Sequence, residues 1–173
     1  MTGPHVYAEW LTLLDRFRVG DDSVLGVMQH GSIQWTNVVA ERWTRQISDS
    51  LTTRLQTLSK QLQANLDRAG GDYFAISKAL LVTRQGLSPL KAFVSLPAVP
   101  AELRKHLESE LERWTIETQE SLERHAHGVR HDQGRLLKTI RDHSLNTPMQ
   151  AVVDKSAQGQ EEPAPVPRRR VIL

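Results

Sequence analysis

Apolar positions along the chain recur with helical period, and no segment alternates as a half-buried strand does. Between Pro4 and Phe17, the residues Val6, Trp10, Leu13, Leu14 and Phe17 share one face, which predicts a first helix. The stretch VGDDSVLGVMQHGSIQ follows. In it Gly20, Gly26 and Gly31 mark turns around a short apolar piece, and Asp22 or Ser23 caps a single helical turn.

The longest unbroken pattern starts after a capping Thr36. Val39, Trp43, Ile47, Leu51, Leu55, Leu58, Leu62 and Leu66 trace one face of a helix reaching Ala69, with Gly70 and Gly71 as its terminators. Such a helix is about 50 Å long at ~1.5 Å per residue. It buries its stripe only against another long helix or another subunit. Asp72 then caps a third helix, with Tyr73, Ile76, Leu80 and Leu81 inward, ending near Gly86. Ser88 and Pro89 open a short fourth piece, PLKAFVSL, which Pro97 stops.

Pro100 opens the second long helix, predicted to run to Asp142. Leu103, Leu107, Leu111, Trp114, Thr118, Leu122, His125, Val129, Gln133, Leu136 and Ile140 repeat every 3.5–3.7 residues, close to a coiled-coil seam. Thr118, His125 and Gln133 are polar intrusions on that stripe, with His125 facing the bundle. Gly128 and Gly134 each weaken the helix by ~1 kcal/mol.

The fold class that follows is all-α: an elongated helical bundle built on two long antiparallel amphipathic helices, closed by the first helix. Its helix–helix interface is expected from Trp43, Ile47, Leu51, Leu55, Leu58 and Leu62 against Leu103, Leu107, Leu111, Trp114 and Leu122. Residues 1–143 make the domain. Residues 144–173, polar and proline-containing, make a flexible, disordered tail. Long stripes of this kind also suit a homo-oligomer or a helical hetero-complex.

Composition narrows the class. An apolar share of 39% fits elongated helices with much exposed surface. The absence of cysteine excludes disulfides and thiolate metal sites. No stretch approaches the ~20 apolar residues of a membrane span, and the N-terminus lacks a signal-peptide pattern. A soluble cytoplasmic protein is the expectation. A net charge of +2 is too small to imply nucleic-acid binding by itself. Of the four tryptophans, Trp10, Trp43 and Trp114 lie on apolar faces, and Trp35 plugs the bundle end or meets a partner.

Candidate chemistry is sparse. In HAHGVRH, His127 and His131 are four apart and share a helix face, with Glu123 one turn earlier and His125 beside them. A structural zinc site takes four ligands, so the favoured reading is a solvated helix face, with no metal and no cofactor. Arg124, Arg130, Arg135, Lys138 and Arg141 form a basic stretch after an acid-rich one at 102–123. No helix-turn-helix, zinc finger or base-stacking platform accompanies it. No phosphate-binding loop is present, and Asp21 with Asp22 reads as a helix cap.

The segment EEPAPVPRRRVIL is the clearest functional clue. Arg168, Arg169 and Arg170 concentrate positive charge, and Val171, Ile172 and Leu173 supply an aliphatic anchor behind a flexible spacer. That arrangement suits a linear motif docking on another protein. The sequence therefore predicts a non-enzymatic helical interaction protein: an adaptor, scaffold, assembly factor or complex subunit. Two alternatives are an amphipathic coat on a lipid or polymer particle and a nucleic-acid binder using 124–143 and the arginine segment.

Overall fold

The computed structural model describes residues 3–127 and 132–145. Among these the structure is all-α, with six helices and no strand: α1 Tyr7–Arg18, α2 Val24–Met28, α3 Ala40–Ala69, α4 Tyr73–Val94, α5 Ala101–His127 and α6 Gln133–Asp142.

The antiparallel long pair is α3 with α4, not α3 with the helix that follows Pro100. Gly70 sits in the left-handed region (φ 54°) and ends α3, and Asp72 caps α4 by accepting the Phe74 N–H at 3.0 Å. A connection that short returns the chain directly along α3. The break predicted between Gly86 and Pro89 does not occur, and α4 runs through both. Gly86 is there for packing: a Cβ would stand 2.7 Å from Leu58 Cδ2, so its absence lets α3 and α4 approach closely. Pro89 lacks the N–H that would bond the Gln85 carbonyl, yet flanking Leu87, Leu90 and Phe93 are buried and hold the helix in place.

Two boundaries also shift. α3 begins at Ala40 because Thr36 to Val39 form a turn, in which the Thr36 carbonyl accepts from Val39 N at 3.0 Å and Ala40 N at 2.8 Å. The second long helix is not continuous to Asp142. α5 spans Ala101–His127 among the described residues, Asp132 takes φ 58°, and α6 packs against both α4 and α5. Leu136 and Ile140 are buried by that return, whereas a straight extension would leave them beyond the end of α3 and α4.

The core has two parts. In the first, Trp10, Leu14 and Phe17 of α1 meet Trp43, Ile47 and Leu51 of α3 and Leu90 and Phe93 of α4. Val6, predicted on the same face, is exposed instead. Phe17 and Phe93 stack at 4.4 Å, and Tyr7 meets Trp43 edge-on at 4.8 Å. Two indoles pin the loops: Trp10 Nε1 donates to the Ser32 carbonyl at 2.9 Å, and Trp35 Nε1 to the Ala98 carbonyl at 3.0 Å. In the second part, Leu62, Ile76 and Leu80 pack with Leu122, Leu136, Ile140 and Leu145.

Candidate interaction surfaces

The predicted interface residues on α3 are all buried: Trp43, Ile47, Leu51, Leu55, Leu58 and Leu62. On α5, Leu107, Leu111 and Leu122 are buried as well, while Leu103 and Trp114 are half-buried. These residues pack within the chain itself.

The buried stripe of α5 is rotated from the one its leucines suggest. It runs Leu107, Leu111, Thr115, Gln119, Leu122, Ala126. Both polar members are satisfied. Thr115 Oγ1 donates to the Leu111 carbonyl at 2.8 Å. Gln119 Nε2 donates to Glu123 at 3.0 Å, and its Oε1 accepts the Leu145 N–H at 3.1 Å. Ala126 occupies the inward position, so His125 is exposed rather than turned to the bundle.

That rotation places Trp114 and Thr118 at the seam with α3 and opens a groove there. Two adjoining depressions of about 270 and 360 Å³ share Ser59, Trp114 and Glu117. Leu55, Leu62, Leu66 and Leu122 contribute its apolar surface. The α3 rim is uncharged, with Thr52, Gln56, Ser59 and Gln63. The α5 rim carries Glu110, Glu117 and Arg113, the last 3.9 Å from Glu117. Trp114 Nε1 donates to Ser59 Oγ at 2.9 Å across the middle. Sequence periodicity missed this groove. Its only signal was the pair of polar residues, Thr115 and Gln119, at inward spacing.

A second cleft, of about 310 Å³, lies at the far end of the bundle between Leu66, Tyr73, Ile76, Leu122 and the α6 residues Leu136 and Ile140. The Tyr73 hydroxyl donates to the Asp132 carbonyl at 3.4 Å. Removal from water, and then the Asp132 carboxylate, push its pKa above the usual tyrosine value. Arg135 stands 5.4 Å over the same ring.

The remaining candidates are dispersed. His127 Nδ1 is 2.8 Å from the Gln133 amide nitrogen, and His131 lies outside the described residues. Among the described residues no three side chains of metal-ligand type converge. Arg124, Arg135, Lys138 and Arg141 are exposed, and Arg130 lies outside the description. Asp21 and Asp22 do more than cap a turn. Asp21 holds Arg16, and Asp22 pairs with Arg54 at 2.8 Å. The tail, with Arg168, Arg169, Arg170, Val171, Ile172 and Leu173, lies outside the described residues. No helix among the described residues is long and apolar enough to cross a membrane. No family model matches the chain, and neither do any curated protein or solved structure.

Proposed function

We propose that the chain is a non-enzymatic interaction protein of the cytoplasm, an adaptor, assembly factor or complex subunit. It presents a helical bundle to one polypeptide and docks on a second through Arg168–Leu173. One observation carries this reading: the α3–α5 groove, where half-buried Leu66 and Trp114 lie over buried Leu55 and Leu62, between an uncharged rim and an acid-bearing rim. A groove between two long helices is a common seat for an extended or helical segment. The leucine stripes themselves are used up inside the chain, so association falls to this groove and not to the seam. The same burial weighs against a coat on particles, since spreading the helices would open both parts of the core.

The test is capture from native lysate by the full chain, by a version stopping at Asn146, and by the groove variant Gln56→Arg/Gln63→Arg, each with and without nuclease. The reading expects one partner lost with the groove variant and another lost with the shortened chain. Capture abolished only by nuclease would favour the exposed cations of α5 and α6 and a nucleic-acid partner.

A further inference from the structure

The groove and the arginine–aliphatic segment complement each other in charge and polarity. We propose that the α3–α5 groove binds the chain's own Arg168–Leu173 segment in cis, so that the docking segment is held back until a partner competes for it. This deepens the reading above and rests on it.

Three observations support the assignment. The groove offers half-buried Leu66 and Trp114 over a floor of Leu55 and Leu62, beside Glu110 and Glu117; among the described residues its one lining cation is Arg113, 3.9 Å from Glu117, and its α3 rim has none. The segment pairs three guanidinium groups with three aliphatic side chains, which match carboxylates and leucines respectively. Geometry also permits it. The Leu145 N–H is bonded to Gln119 of α5, within the stretch of helix that lines the groove. From there the 22 residues 146–167 reach up to about 70 Å at ~3.3 Å each. The groove, from Thr52 to Leu66, is about 21 Å long at ~1.5 Å per residue. A tether of this kind gives an effective concentration near the millimolar range, so a weak peptide site is filled in cis.

The chain has no cysteine, so Val166→Cys gives one site for a nitroxide spin label on the full-length protein. The expected result is selective loss of NMR intensity at the amides of Gln56, Ser59 and Gln63 and at the Trp114 indole N–H. Amides of α1 stay unaffected, and tenfold dilution changes nothing. Arg168→Glu/Arg169→Glu/Arg170→Glu removes the effect without touching the bundle, as does Glu110→Lys/Glu117→Lys, and combining the two sets restores it. An effect that fades on dilution assigns the groove to a second copy and overturns the cis proposal. So does an effect centred on the cleft near Tyr73 and Leu136, or one spread evenly, or none. If the label shows no contact while Gln56→Arg/Gln63→Arg still loses its captured partner, the function reading survives and only this proposal falls. If contact is present and no capture depends on the groove, the reverse holds.

Discussion

Arg54 is 8% exposed in the middle of α3, and its charge is met on three sides. Nη1 donates to the Phe17 carbonyl at 3.0 Å, Nη2 pairs with Asp22 at 2.8 Å, and the guanidinium lies 4.9 Å over the Phe17 ring. Together these lock α1 and the α1–α2 turn to α3. Arg54→Leu leaves the Phe17 carbonyl with the Gly20 N–H alone and unpairs Asp22, which frees the turn, a loss of about 1–3 kcal/mol, since hydrogen bonds to charged groups are the strong ones. A thermal melt beside the parent checks it. Two carboxylates give the fold a pH dependence. Ser23 and then Arg16 hold Asp21 below its ordinary 3.8, and the His5 and Val6 N–H groups hold Glu9 below 4.5. A carboxyl with a lowered folded pKa stabilises the fold above its unfolded value and loses that contribution as pH falls through the folded one. Melting temperature should therefore drop between about pH 5 and pH 3, and Asp21→Asn and Glu9→Gln should flatten the drop. Arg54 itself was not legible in the sequence. On α3 it falls beside the leucine stripe, and only the arrival of α1 makes that position interior.

At the scale of elements, periodicity showed where the helices are and which side of α3 is apolar. It misjudged Gly86 and Pro89, two residues that usually punctuate. Local propensity opposes a helix there, but the buried neighbours Leu80, Leu87, Leu90 and Phe93 outweigh it. Gly86 then has a role no pattern shows, because it gives way to Leu58. Gly86→Leu should cost about 1–3 kcal/mol by overpacking that crossing. Its unfolding midpoint in urea, with the slope unchanged, measures the cost. The turn of α5 was equally hidden. Thr115 and Gln119 are not on the predicted stripe, yet Thr115 bonds the Leu111 carbonyl, Gln119 bonds Glu123 and the distant Leu145 N–H, and Trp114 is left to the groove.

For the whole molecule, the helical class was plain from the sequence but the pairing was not. A stripe tells which face is buried without telling which helix buries it, so α5 was assigned the place that α4 takes. The unequal core has a dynamic consequence. α6 is ten residues long and contributes Leu136 and Ile140 as its buried residues, while α1, α3 and α4 share aromatic packing at the other end. Elements with few buried apolar contacts open first. Amides of α6 should exchange with solvent well before those around Leu51 and Leu90, with hydrogen-exchange protection as the readout.

Binding of a polypeptide in the α3–α5 groove is open to a direct test by photo-crosslinking. A photoreactive side chain replaces Gln63 on the groove rim or, as control, exposed Thr57 on the outer face of α3. Discrete polypeptide adducts are expected from position 63, to the segment 168–173 or to a partner, and none from position 57. Equal or absent adducts at the two positions would contradict it.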